Sequence, residues 1–273
     1  MNRYRRMKGP MGDRLRASIQ LDGPSASFIL TEDDRCPLLN ADGLCDLILA
    51  KGERALCQIC RDHPRFRFSV KGREEIGLGL CCEEACRIIL GWKEPVRLYL
   101  EDDGRSKAEM GRSDSENIAR RDRLIALAQE RGLPMVERMR QMLAMEGVCL
   151  PDLEPAQWIP LLLKLERLDD AWTMLLEKCL AGYPHAPIDE IIQEQLLVYF
   201  IYRHCAAEWK SHDFALGALP FCVLSVRLIT WLCHAPEDIY ETARMYSAEI
   251  EYSQENLDFL LELLDRYNRG ENI

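Results

Sequence analysis

The sequence predicts a mainly α protein in which a small cysteine-rich metal-binding module with short β-hairpins is followed by a helical bundle. Three observations predict it. Seven of the 12 cysteines (Cys36, Cys45, Cys57, Cys60, Cys81, Cys82 and Cys86) fall within 51 residues. Residues 101–117, EDDGRSKAEMGRSDSEN, hold no large apolar side chain except Met110 and read as a linker or exposed loop. Beyond them, apolar residues recur at helical spacing to the end of the chain. The expected organisation is a cysteine-rich module over 1–100, a linker over 101–116 and a helical bundle over 117–273.

Within the module, residues 1–16 carry Arg3, Arg5, Arg6, Lys8, Arg14 and Arg16 against Asp13 alone. They read as a solvated first helix or a frayed end rather than an arm for acidic partners. Residues 17–21 and 25–30 flank Asp22-Gly23-Pro24, a turn signal for a short hairpin. Asp42-Gly43 is a tight-turn pair that folds the chain back between Cys36 and Cys45. Residues 46–58 read as a helix ending near Cys60. Residues 66–70 and 75–80 flank Lys71-Gly72-Arg73, a second hairpin that would carry Cys81 and Cys82 back toward Cys60. In the helix expected over 82–90, Cys82 and Cys86 share a face. Ala85, Ile88 and Ile89 supply its apolar contacts, and Cys86 reads as a small buried hydrophobe.

The bundle begins with a helix over 117–131 that repeats Ile118, Leu124, Ile125 and Ala128. Pro134 suits the first turn of a helix over 135–145, and residues 155–179 form a Leu-rich stretch kinked or restarted at Pro160. After Pro187, Ile188, Ile191, Ile192, Leu196, Tyr199 and Phe200 fall on one stripe. Residues 216–233 are apolar for long enough to raise a membrane span, yet Pro220, Ser225, Arg227 and Thr230 interrupt them. They read as the central buried helix. Pro236 opens the last pair of helices, with Ile239, Ala243, Tyr246 and Ile250 on one face, then Leu257, Leu260, Leu261 and Leu264. Residues 236–273 hold ten acids against three arginines, which reads as a solvated face before a surface attracting lysine-bearing substrates.

Crowded thiols signal disulfides or metal. Disulfides need an oxidising compartment, the basic N-terminus has no apolar run of a secretory signal behind it, and seven thiols cannot pair off. Metal is favoured, and a cytoplasmic location with it. Thiolates suit both zinc and iron–sulfur clusters, and the spacing names neither. His63, three residues after Cys60, reads as held in the turn by Pro64 rather than as a ligand. Arg61, Arg65 and Arg87 would offset thiolate charge or pair with Glu83 and Glu84. The five later cysteines, Cys149, Cys179, Cys205, Cys222 and Cys233, read as core. A net charge of −10 argues against nucleic acid, and no membrane partner is expected.

The strings Cys36-Pro37-Leu38-Leu39, Asp42-Gly43-Leu44-Cys45, Cys60-Arg61-Asp62-His63-Pro64-Arg65 and Gly79-Leu80-Cys81-Cys82-Glu83-Glu84-Ala85 resemble, in that order, the motifs of the flagellin lysine-N-methylase family. They are also similar to the broader zinc- or iron-chelating cysteine-cluster families. Tyr199-Phe200-Ile201-Tyr202-Arg203-His204 resembles the aromatic-Arg helix of the family's second half. A further Cys-x-x-x-Cys-Cys-x-Gly-Trp block of that family has no counterpart before Cys36, a departure that bears on activity more than on the cluster.

The resemblance implies metal ligands at Cys36, Cys45, Cys60 and Cys82, with Cys57, Cys81 and Cys86 as extras. It implies an iron–sulfur cluster, of the 4Fe-4S kind, with zinc as the alternative. It implies methyl transfer from S-adenosylmethionine to lysines of flagellin or another lysine-bearing protein. It assigns no catalytic or donor-binding residue. By residues alone, Gly77-x-Gly79 is the only glycine pair resembling a nucleotide turn, and Ile89 stands where a radical-type cysteine triplet would need its third thiol. The competing expectation is a non-enzymatic metal-cluster protein whose bundle is a docking surface.

Overall fold

A computed structural model describes residues 2–22, 25–32, 35–70, 73–101, 111–182, 184–205, 214–235 and 238–271. The protein is mainly helical, with 13 α-helices and two small antiparallel hairpins among the described residues. It divides into two compact units, Met1–His63 and Pro64–Ile273. The greater part of the expected linker, 102–110, lies outside the described residues, as do the turn residues Gly23, Pro24, Lys71 and Gly72 and the helix opener Pro236.

In the smaller unit, α1 (Asn2–Arg5) and α2 (Pro10–Ala17) lead into β1 (Ile19–Asp22) and β2 (Ser25–Phe28), paired Ile19 to Phe28 and Asp22 to Ser25. The hairpin is the expected one. A loop then closes on itself: Asn40 Oδ1 accepts from the amides of Asp42 and Leu44 at 3.0 and 2.9 Å, and Gly43 supplies the positive φ, 76°. Leu39 bridges to Cys45 across that turn.

The basic N-terminal residues are not a frayed end. Arg14 bonds the Pro37 carbonyl at 2.6 Å and Asp46 at 2.5 Å, while Arg3 reaches the Leu56 carbonyl at 3.2 Å. Tyr4, Leu15, Leu38, Leu47 and Ala55 form the core beneath them. The single helix expected over 46–58 is broken. α3 (Asp46–Lys51) stops at Gly52, whose φ of 75° no helix continues through, and a 3-10 turn (Glu53–Ala55) precedes α4 (Gln58–Asp62).

The larger unit begins with β3 (Arg65–Val70) and β4 (Arg73–Leu78), registered Phe66 to Gly77 and Arg67 to Ile76, then α5 (Glu83–Gly91). The bundle comprises α6 (Arg112–Ala128), α7 (Met135–Glu146), α8 (Pro155–Leu162), α9 (Asp170–Leu180), α10 (Glu190–His204), α11 (Ala218–Leu232), α12 (Ile239–Tyr246) and α13 (Gln254–Asn268). Local chemistry sets several starts. Asp169 and Asp189 accept from the amides of Ala171 and Ile191 at 2.9 Å, and Glu154 and Gln157 form a reciprocal capping box with Pro155 at the first helical position.

As expected, α11 is the central helix, packed against α10, α12 and α13 and buried along most of its length. Ser225 is buried there because its hydroxyl bonds the Phe221 carbonyl at 2.8 Å and the Tyr246 hydroxyl at 2.9 Å. No helix among the described residues is long and apolar enough to cross a membrane.

α10 departs from a simple stripe. Every residue from Glu194 to Ile201 is buried. Glu194 is tolerated because Arg131 and Arg138 both bond it, at 2.9 and 3.1 Å. A second buried pair joins Glu75 on β4 to Arg121 on α6, one of its two bonds at 3.0 Å. The acidic C-terminal stretch is not wholly a solvated face either, since Glu249, Glu251 and Asp265 are buried. Glu249 accepts from the amides of Leu168 and Asp169 at 2.8 and 2.9 Å, and Asp265 accepts from the amide of Leu216 at 2.8 Å.

Candidate functional site

The expected ligands are divided between the units. Cys36, Cys45 and Cys60 belong to the smaller one; Cys82 belongs to the larger, where it stands immediately before α5. In the smaller unit the loop closed by Asn40 brings Cys36 and Cys45 near Cys60, and Cys57, expected as an extra, is its nearest thiol, with the two sulfurs 3.4 Å apart. Burial first, then Cys57, Cys36 and Cys45, push the Cys60 pKa up to about 12. The Tyr4 hydroxyl lies beside the same thiols and is likewise pushed up to about 12, chiefly by burial.

The iron–sulfur expectation, and the zinc alternative with it, does not survive this geometry. Among the described residues no group of three or more His, Cys, Asp or Glu side chains is placed to hold a metal ion. A thiolate site needs its sulfurs converging on one point at about 2.3 Å, and these side chains do not converge in that way. None of the 12 cysteines is in a disulfide.

The other thiols are mostly core. Cys86 is fully buried and donates to the Tyr240 carbonyl at 3.3 Å, as expected of a small hydrophobe. Cys179, Cys205, Cys222 and Cys233 are buried, whereas Cys149 is exposed, contrary to its expected place in the core. Arg87 pairs with Glu83 at 2.6 Å, and the His63 amide closes α4 on the Ile59 carbonyl at 2.9 Å.

A second polar cluster lies inside the larger unit, centred on Glu251. This residue ends a π-helical turn (Ser247–Glu251) between α12 and α13, closed by the Tyr252 amide on the Ser247 carbonyl at 3.1 Å. Such wide turns recur at functional sites. Three side chains of α10 converge on the Glu251 carboxylate. The Tyr199 hydroxyl donates at 3.0 Å, Arg203 Nε lies at 3.3 Å, and His204 Nε2 lies at 2.7 Å. The Tyr199 oxygen in turn accepts from Arg203 at 2.7 Å and from the Leu80 amide at 3.3 Å. The Arg203 guanidinium sits 4.9 Å from the Phe66 ring centre and 4.8 Å from that of Tyr252. Tyr252 is partly exposed, and its hydroxyl pairs with the Cys81 thiol.

Electrostatics hold this cluster in one protonation state. Burial alone would raise the Glu251 pKa, but the Arg203 charge and the His204 bond outweigh it and hold the carboxyl below the usual range. Burial, only partly offset by Glu251, lowers that of His204. Burial likewise pushes Tyr252 up to about 12 and Tyr199 well above the ordinary phenol value. The cluster is therefore a carboxylate, a guanidinium, a neutral imidazole and two neutral phenols.

The sequence resemblance pointed to Tyr199, Arg203, His204 and the Gly79–Cys82 string, and the fold brings these together. Glu251 and Tyr252 carried no signal of their own, being counted among the acids and aromatics of an ordinary amphipathic stretch.

The glycines considered for a nucleotide turn serve packing instead. A Cβ on Gly77 would stand 2.2 Å from the Phe66 ring, and one on Gly79 would stand 2.2 Å from the Tyr252 hydroxyl. Their space is filled by the chain itself, so these two glycines form no nucleotide turn. No family model matches the chain, and no curated protein or solved structure matches it.

Proposed function

We propose that this protein is a protein-lysine N-methyltransferase acting on flagellin-like substrates. The observation that carries the reading is the meeting of two segments far apart in sequence. Gly79-Leu80-Cys81-Cys82 and the Tyr199–His204 turn both resemble the flagellin lysine-N-methylase family, and both close on Glu251 and Tyr252. Segments that serve packing alone need not share one buried polar network. Such networks cost stability unless every member is satisfied.

The rim of the cluster has chemistry suited to an amine. A lysine must arrive as an ammonium and lose a proton to solvent before its nitrogen can accept a methyl group. Tyr252 is partly exposed and kept neutral, so its oxygen can accept a hydrogen bond from that ammonium. Glu251 is too deeply buried to touch a substrate. It acts as a positioning residue, holding Arg203, which in turn lies against the Tyr252 ring.

The test is to incubate the purified full chain with flagellin and S-adenosylmethionine and count methyl groups on flagellin lysines by mass spectrometry. Enzyme-dependent lysine methylation is expected, slowed about tenfold in Tyr252→Phe, the loss of one hydrogen bond of roughly 1.4 kcal/mol. That variant should keep its melting temperature. Folded protein that leaves every lysine unmodified would sink the assignment.

A further inference from the structure

The thiols of the smaller unit hold no place in the reading above, and two of them stand apart from the other ten. Cys57 immediately precedes α4 and Cys60 lies three residues on, with their sulfurs 3.4 Å apart. At 3.4 Å the two sulfurs stand little more than about 1 Å beyond the ~2.05 Å bond of a disulfide. A side-chain rotation and a small closure of the turn suffice to bring the sulfurs to bonding distance.

Access separates this pair from its nearest rival. Cys60 is exposed and Cys57 is half-buried, so a small molecule in solvent can reach the pair. Cys205 and Cys222 also face each other, at 3.9 Å, but both are buried in the core of the larger unit. Cys149 is exposed but has no thiol partner assigned to it, and Cys86 is fully buried against α12. Cys57 and Cys60 thus combine contact with exposure.

We propose that Cys57 and Cys60 form a reversible dithiol–disulfide site that exchanges with low-molecular-weight disulfides. In the first step, Cys57 loses its proton to solvent and its thiolate attacks a sulfur of the small disulfide. That S–S bond breaks, a small thiolate leaves, and a mixed disulfide forms on the protein. In the second step Cys60, released from the Cys57 thiol that helps hold its pKa up, loses its proton and attacks the protein-side sulfur. The Cys57–Cys60 bond forms and the second small thiolate leaves. Two electrons pass from the two protein sulfurs to the small disulfide, and the two released thiolates take up two protons.

The bond would close the short turn of α4, a loop of a few residues, so its effect on stability is small by the loop-entropy argument and its reversibility correspondingly easy. Cys36 and Cys45 lie close enough to act on Cys60 electrostatically. The experiment must therefore identify which sulfurs are joined.

The full chain is equilibrated with mixtures of reduced and oxidised glutathione, quenched by alkylation, digested and mapped by mass spectrometry. The expected product is one peptide carrying a Cys57–Cys60 bond, its fraction rising with the oxidised share and returning to zero in excess reduced glutathione. Cys57→Ser and Cys60→Ser should each leave a glutathione adduct on the remaining cysteine. Cys57 and Cys60 fully alkylated in every mixture would overturn the proposal. So would separate glutathione adducts on both, or a bond to Cys36 or Cys45. Because the decisive measurement uses the unaltered protein, a variant that fails to fold cannot rescue or sink the idea.

Discussion

At the scale of single residues, the Glu251 cluster makes stability depend on pH in a direction that can be worked out. Burial holds the folded pKa of His204 below its ordinary value of 6.5. As the pH falls through that value, the unfolded chain takes up a proton at His204 and the folded chain does not, so stability is lost toward acid. Glu251 acts in the same sense. Its folded pKa is lowered, so its contribution is present above the ordinary carboxylate range and lost as the pH falls through the folded value. The expected outcome is a denaturation midpoint that declines between pH 7 and pH 5, with one histidine contributing at most about 1.4 kcal/mol per pH unit. His204→Gln should flatten that decline; an unchanged slope would remove His204 as its source. Residues such as these were half legible. Tyr199, Arg203 and His204 were visible through resemblance, but Glu249, Glu251 and Asp265 were hidden in a count of surface acids. A tally of charge does not say which carboxylates will find amide or guanidinium donors inside the fold, and it is those donors that permit burial.

At the scale of elements, the helices were the most readable feature and their interruptions the least. The 216–233 run became α11 because an apolar surface on every side can be satisfied only at the centre of the bundle. The hairpin of β3 and β4 followed from two segments flanking a turn signal. Gly52 breaks the stretch expected as one helix because a glycine at the end of an apolar run commonly takes the positive φ that stops a helix. The π-helical turn at 247–251 left no trace in the spacing of Tyr246 and Ile250, which fits an ordinary helix equally well. α10 illustrates how local and tertiary forces share the work. Its core-facing residues fix where it lies, while Asp189 fixes where it begins, accepting from the Ile191 amide at 2.9 Å. Asp189→Ala is expected to cost about 1 kcal/mol, read as a lower denaturant midpoint at unchanged slope. A change beyond about 3 kcal/mol would mean that Asp189 does more than cap.

At the scale of the molecule, each unit has its own core: Leu15, Leu38 and Leu47 in the smaller, and the side chains around α10 and α11 in the larger. A unit with its own core has what independent folding requires. A fragment beginning at Pro64 should therefore keep its helical circular-dichroism signal and melt cooperatively, and a fragment without cooperative melting would refute this independence. The cysteine count misled at this scale because it treated 36–86 as one cluster. Crowding in sequence does not guarantee convergence in space, and the chain divides between Cys60 and Cys81. That division has a practical consequence for spectroscopy. All five tryptophans, Trp92, Trp158, Trp172, Trp209 and Trp231, belong to the larger unit, and Tyr4 is the one tyrosine of the smaller. Indole emission therefore arises in the larger unit, and a transition monitored by it reports the opening of that unit. The reporters native to the smaller unit are its four thiols, whose rates of alkylation would register its opening directly.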